Sequence, residues 1–431
     1  MLFEKNSENL AGCVLEDAAT DINRGRKDMK KKMTRLMAAM LALVMLAGCG
    51  SGTKKETTAG AETKVQETQA KIETEAGTQE QTQPKETESG KTAESGSTGD
   101  TRMVVDATGE EVEVPAHPQA IAVMPPVVPN MVYALQGYAD NMIAITPSAY
   151  AGWEISIMKE LAPELADVDT AVIASASEIN MEELAAMKPD LVICWDTQTD
   201  QAAKLRSLGI PVVMLTAATD MDTLRSMITM LGDILNCQEQ AAKMMAWYNE
   251  VEGYVNGKSD QVQALADEDR PRVLHFMYAE ELNIYANGVN PYITDWVGGQ
   301  NIKLEGASAE TSSPTMEEIL AYDPEIVFLS NFDNVTPEDL YNNRLEGQDW
   351  SNVSAVKNHK VYKVPCGLYR WAPPNTIEKP LYVLWQASVI QPEIFADVDM
   401  RAEIKDFFKE FFQYELTEEQ IDFVLHTELN R

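Results

Sequence analysis

The chain carries one stretch of sequence twice. Asn180-Met181-Glu182-Glu183-Leu184-Ala185-Ala186-Met187-Lys188-Pro189-Asp190-Leu191-Val192-Ile193 aligns with Thr315-Met316-Glu317-Glu318-Ile319-Leu320-Ala321-Tyr322-Asp323-Pro324-Glu325-Ile326-Val327-Phe328, 135 residues later. Asn180 and Thr315 are good helix N-caps, and the paired glutamates suit the positive end of a helix dipole. Each proline stops the helix and starts an apolar strand. A duplicated helix–strand unit predicts two lobes of one α/β design, each of about 120–150 residues.

Short apolar runs mark the strands of those lobes: Ala120–Val123, Met142–Ile145, Leu191–Trp195 and Val212–Leu215 first, then Arg272–Phe276, Leu282–Ala286, Ile326–Ser330 and Val361–Val364. Helix-length segments between them indicate βαβ units and mainly parallel sheets. Between the lobes, apolar residues recur at helical spacing from Leu224 to Val251, with a break at Asn236–Cys237. The second half, Gln238–Val255, is about 27 Å long as a helix and can run from one lobe to the other. The expected divisions are an N-terminal lobe over 101–237, a connecting helix over 238–262 and a C-terminal lobe over 263–431.

The first hundred residues are different in kind. A basic start (Lys30, Lys31, Lys32, Arg35) precedes the apolar run Leu36–Leu46, which ends in Leu46-Ala47-Gly48-Cys49. This order, at this length, resembles the bacterial lipoprotein signal and implies a signal peptide over 29–48 with Cys49 as the lipidated residue. Residues 1–28 have no place in such a signal and read as a non-native extension ahead of Met29. Residues 50–100 hold no aromatic residue and one valine. So little apolar surface cannot offset the entropy of ordering, so the segment after Cys49 is expected to be a disordered tether over 49–100.

Net charge is −33 and almost all of it falls after residue 100, which argues against nucleic acid as a partner. Five cysteines without a CxxC pair imply neither a zinc site nor a disulfide framework.

Residues 101–431 resemble the substrate-binding lipoproteins of ABC importers for iron–siderophore, haem and cobalamin. The residues that carry the resemblance are Asp106-x-x-Gly109-x-x-Val112-x-Val114-Pro115, the two Met-Glu-Glu…Pro segments, Trp296-Val297-Gly298-Gly299-Gln300-Asn301 and Lys357-Asn358-His359-Lys360-Val361-Tyr362. The resemblance implies a bilobal, class III periplasmic-binding-protein-like α/β fold joined by one long helix. It also implies a monomeric receptor anchored by lipid to the outer face of a bacterial cytoplasmic membrane, serving an ABC permease dimer and its ATPase. Glu182 and Glu317 match the glutamates that, in that family, dock on permease arginines. Compensation of a helix dipole is the plainer reading of the same two residues.

Ligands of open α/β sheets gather at the carboxyl ends of strands, and two facing lobes turn that rule into a cleft. It nominates Met124, Tyr150 and Trp195 in the first lobe, and Tyr278, Tyr285, Tyr369, Arg370 and Trp371 in the second. Aromatic rings offer broad apolar contact, and Arg370 can pair with a carboxylate, a catecholate or a propionate. Only four histidines are present, too few for direct capture of zinc or manganese. A ferric chelate that brings its own iron ligands fits these residues best, a ferric siderophore foremost, with haem or cobalamin as alternatives and no resident cofactor. A surface sensor or adhesin on the same fold remains the competing class, while Gly-x-Ser-x-Gly and P-loop signatures of enzymes are missing.

Overall fold

The structure, a computed structural model, describes residues 100–175, 178–304 and 309–431. The extension, the signal, Cys49 and the tether up to residue 99 lie outside the described residues. Strands in chain order are β1 Thr101–Val105, β2 Glu111–Pro115, β3 Ile121–Val123, β4 Met142–Ile145, β5 Leu191–Trp195, β6 Val212–Leu215, β7 Arg272–Tyr278, β8 Asn283–Tyr285, β9 Gln300–Asn301, β10 Thr311–Ser312, β11 Ile326–Leu329 and β12 Val361–Lys363.

The first lobe is built on a sheet of order β4-β3-β5-β6, with every pair parallel. In the second, the order β8-β7-β11-β12 repeats it, with β10 added beyond β8 and β9 beside β7. Here β7–β11 and β11–β12 are parallel. The eight strands read from the sequence all appear, displaced at most by two residues at an end, the usual uncertainty of element boundaries. The two sheets differ in their second strand: helix Val128–Gln136 carries the chain from β3 to β4, whereas a tight turn at Ala279–Leu282 makes β8 antiparallel to β7.

Hairpin β1–β2 was not among the strands read from the sequence. Its turn explains the Asp106-x-x-Gly109 signature: Asp106 Oδ1 accepts hydrogen bonds from the backbone N–H of Thr108 (2.9 Å) and Glu110 (3.2 Å), and Gly109 takes φ +82°. The other oxygen, Oδ2, pairs with Arg206 at 3.2 Å and accepts from the Met214 N–H of β6 at 3.2 Å, which ties the hairpin to the first sheet.

The connecting helix spans Gln238–Asn256. It lies so close to helix Met221–Ile234 that a Cβ at Gly232 would sit 2.5 Å from that of Ala241. Trp247 packs on Phe407 of helix Met400–Phe412, and the buried Tyr248 hydroxyl donates to the Ile377 carbonyl at 2.8 Å. The rod is thus fixed to the C-terminal helices as well as to the first lobe. Among the described residues no helix is long and apolar enough to cross a membrane.

Candidate functional site

The seam between the lobes is organised around Arg370. Strand β11 is followed by Ser330-Asn331, and the chain beyond β12 folds back so that Cys366 and Arg370 face each other in a short antiparallel bridge. Arg370 Nε donates to the Asn331 carbonyl at 2.8 Å, and Nη1 donates to the Tyr369 hydroxyl at 2.9 Å. Its guanidinium lies between two rings, 4.9 Å from the centroid of Phe332 and 5.2 Å from that of Tyr369. Such flanking fixes a planar cation by cation–π attraction and costs it little further entropy.

The first lobe meets this group through helix Pro147–Glu154, which starts at the N-cap Thr146. Arg370 Nη1 also donates to the Ser148 carbonyl at 3.3 Å, a hydrogen bond that crosses between the lobes. Gly152 lies directly opposite: a Cβ there would stand 2.0 Å from Tyr369 Cε2 and 2.9 Å from Arg370 Nη1. Only glycine allows that approach. Further along the seam the Ala218 N–H donates to Asn375 Oδ1, again between lobes.

Arg370 is 6% exposed, and no described carboxylate pairs with it. Its Nη2 group has no hydrogen-bond partner among the described residues. A buried guanidinium with an unspent pair of Nη2 donors is equipped to receive an anion.

Of the other nominated residues, Tyr278 packs on Phe332 with ring centroids 5.6 Å apart and planes tilted by 45°, and thereby joins the arginine group. Tyr150 and Trp195 are half-buried and pack on the apolar cluster that includes Tyr369. Tyr285 is buried with its hydroxyl unpartnered among the described residues, and burial, followed by the neighbouring Tyr382 and Glu310, raises its pKa far above the usual phenol value. Two further nominations lie in the core. Met124 is 0% exposed and belongs to the core beneath the first sheet, because its N–H still bonds to the Ile193 carbonyl and continues the register of β3. Trp371 is likewise fully buried in the main core, so the aromatic pair around Arg370 is divided, with Tyr369 at the seam and Trp371 inside.

Sequence reasoning missed Phe332, Ser148 and Gly152, which reach the site only through folding. It also missed Glu378 and Lys379, both 0% exposed. The available signal was an acid–base pair at the head of the otherwise apolar helix Lys379–Ile390.

The repeated glutamates divide their work. Glu183 and Glu318, the second of each pair, bond back to their caps: Asn180 Nδ2 donates to Glu183 Oε2 at 2.7 Å, and the Thr315 N–H donates to Glu318 Oε2 at 2.7 Å. Glu182 and Glu317 are exposed, and their side chains make no hydrogen bond or ion pair among the described residues.

Residues 122–366 match the family model described as periplasmic binding protein. A crystal structure of a periplasmic solute binding protein from Veillonella parvula is 36% identical, covering 77% of this chain and 98% of that one with a TM-score of 0.71. The molybdate-binding protein MolA of Haemophilus influenzae is 22% identical over 72% of this chain and 91% of its own length. An uncharacterized ABC transporter substrate-binding lipoprotein of Bacillus subtilis, YvrC, is 21% identical over 81% of this chain and 95% of its own.

Proposed function

The chain belongs to the periplasmic binding proteins, and from that premise we propose that it is the lipid-anchored receptor for a ferric chelate, a ferric siderophore foremost, captured between its lobes. As a substrate-binding protein of an ABC importer it works outside the cytoplasm and hands its solute to a permease and an ATPase. Lipidation at Cys49 and a monomeric state complete the reading.

The observation that carries the ligand reading is Arg370: a buried cation beside aromatic rings, with no carboxylate partner and no acceptor on Nη2 among the described residues, in a chain of net charge −33. Desolvating an arginine without a counter-ion is costly, and an anionic ligand removes that cost. Among the described residues no three histidine, cysteine or carboxylate side chains converge to hold a bare metal ion, which favours iron that arrives already chelated. Tyr150, Trp195, Tyr278 and Phe332 supply ring surface for an organic ligand.

One observation favours a compact oxyanion instead. Gly152 and Ser148 close tightly on Arg370, and the relative MolA binds molybdate. Titration of tryptophan fluorescence with ferric catecholate and ferric citrate, haem, cobalamin and molybdate separates these ligands. Tight binding of a ferric chelate is expected; saturation by molybdate alone overturns the chelate reading.

For delivery, Glu182 and Glu317 are the docking carboxylates. Their freedom from capping duty, at equivalent places on two like lobes, suits a partner with two like halves. Glu182→Ala/Glu317→Ala is expected to abolish uptake in cells while leaving ligand binding by the protein intact. Undiminished uptake argues for a sensor or adhesin.

A further inference from the structure

The segment that carries Arg370 is gripped from both sides by two consecutive buried residues. Glu378 accepts a hydrogen bond from the Tyr369 N–H at 3.1 Å, on the N-terminal side of the arginine. Lys379 Nζ donates to the carbonyls of Trp371 (2.8 Å) and Pro373 (2.7 Å), on its C-terminal side. Neither residue pairs with the other. Two adjacent ionisable side chains that are fully buried and not bonded to each other are a costly arrangement that a packing role alone does not require. Gly367 completes it, since a Cβ there would lie 1.8 Å from Glu378 Oε1.

We propose that Glu378 and Lys379 are positioning residues for Arg370, holding the backbone of 367–373 so that the free Nη2 group is presented at the lobe seam. The proposal rests on the reading of Arg370 as the ligand's partner. Neither residue touches the ligand in this scheme; each acts on the backbone that aims the guanidinium, as supporting groups do at pre-organised sites.

Glu378 also makes the grip sensitive to pH. Burial raises its pKa to about 7, against the pull of the Leu368 and Tyr369 N–H groups and the Trp371 indole. Oε1 is left without a well-formed hydrogen bond. The other titratable groups facing the carboxyl are the Cys366 thiol and the Tyr248 phenol, which burial pushes to about 12 and far above 10 respectively, with Arg225 beyond the phenol. Both stay protonated near neutrality, so Glu378 is the group here that changes charge there. Lys379, lowered by burial and supported by Glu310, has two donors for its two carbonyls in either protonation state. Ionised Glu378 accepts from the loop amides more strongly than the neutral acid does.

The test uses the folded full chain, hydrogen exchange of segment 366–373 and affinity for whichever of ferric catecholate, ferric citrate or molybdate the wild type binds. Lys379→Met, which keeps the stem and removes the donors, is expected to speed exchange in 366–373 and weaken binding roughly tenfold or more, the worth of two lost hydrogen bonds. Glu378→Gln keeps an acceptor but cannot titrate. Wild-type affinity is expected to rise severalfold from pH 6 to 8, and that of the Gln variant to stay flat. Wild-type exchange and affinity in a folded Lys379→Met protein overturn the proposal. If that variant does not fold, an unaltered pH profile in Glu378→Gln overturns it instead. Arg370→Ala separates the two claims: unchanged affinity there refutes the site reading, whereas exchange in the other variants still judges the grip.

Discussion

The two lobes share a strand order but not a polarity. Strands β3 and β6 of the first lobe are buried along their whole length and carry only apolar side chains, and among its described residues Asp106 is the one buried acidic or basic side chain. The second lobe buries Lys363, Arg370, Glu378 and Lys379, with neutral His275 among them. Buried ionisable groups cost stability unless something recovers the loss, and they concentrate where recognition happens. The duplication therefore yields one copy that serves as a wall and another that carries the polar contacts. Their meeting point, Arg370 against Ser148 and Gly152, brings the two together.

The largest effect expected from this contrast lies in affinity. Arg370→Ala, which removes the second lobe's cation, is expected to weaken binding of an anionic probe by about 3 kcal/mol, more than a hundredfold. Trp195→Ala in the first lobe removes ring contact worth only about 1 kcal/mol. Isothermal titration of both variants checks the ordering, and a Trp195 variant that loses more than the Arg370 variant breaks the asymmetry.

Stability against pH sharpens the same point. Glu378 has a folded-state pKa raised from 4.5 to about 7, so the folded protein holds this proton more tightly than the unfolded chain. Its contribution is full below pH 4.5 and is lost as pH rises through about 7, amounting to about 3 kcal/mol. His275 and His426 have the opposite sign: burial lowers them to about 3 and about 4, so their contribution is lost as pH falls below 6.5. These slopes oppose one another in the wild type. The stability of Glu378→Gln minus that of wild type isolates the carboxyl, and should grow between pH 5 and 8. A flat difference would place the carboxyl in a far wetter setting than this.

Closure of the lobes supplies a third measurement. Gly152→Ala drives a methyl into the Tyr369 ring, and overpacking of this kind costs about 1–3 kcal/mol. Because the clash exists only where the lobes touch, opening relieves it. Affinity should therefore fall more than thermal stability does, and the small-angle scattering radius should rise. Equal affinity and an unchanged radius would mean that the seam tolerates bulk.

The sheets were legible in the sequence because strands buried on both faces are continuous apolar runs, here entered through proline and an acidic residue and left through polar ones, as at Leu191–Trp195 and Ile326–Leu329. Hairpin β1–β2 was not, since Thr101–Val105 and Glu111–Pro115 alternate exposed with buried positions and resemble ordinary surface sequence. Arg370 and Tyr369 were visible as an arginine beside aromatic residues on a loop. Glu378 and Lys379 stayed hidden, because local sequence marks charged residues as exposed and only tertiary packing buries them. The burial of Met124 stayed hidden for a related reason: the end of an apolar run does not reveal whether the next residue remains in the sheet.

The smallest expected effect concerns the repeated segment itself, where the lobes differ in capping. Thr315 and Glu318 form a reciprocal capping box, with the Thr315 side chain accepting from the Glu318 N–H at 3.2 Å and the Glu318 carboxylate accepting from the Thr315 N–H. In the first lobe, Asn180 accepts from the Glu183 N–H at 3.2 Å, but Glu183 answers the Asn180 side chain and not its backbone. Thr315→Ala should then cost about 1 kcal/mol, with Asn180→Ala costing less than that. Glu182→Ala and Glu317→Ala should leave the melting temperature where it was, since neither side chain is engaged. Thermal melts of the four single variants would show whether the first glutamate of each copy is spare for a partner. Destabilisation by either alanine would return that residue to the helix it begins and remove it from the docking surface.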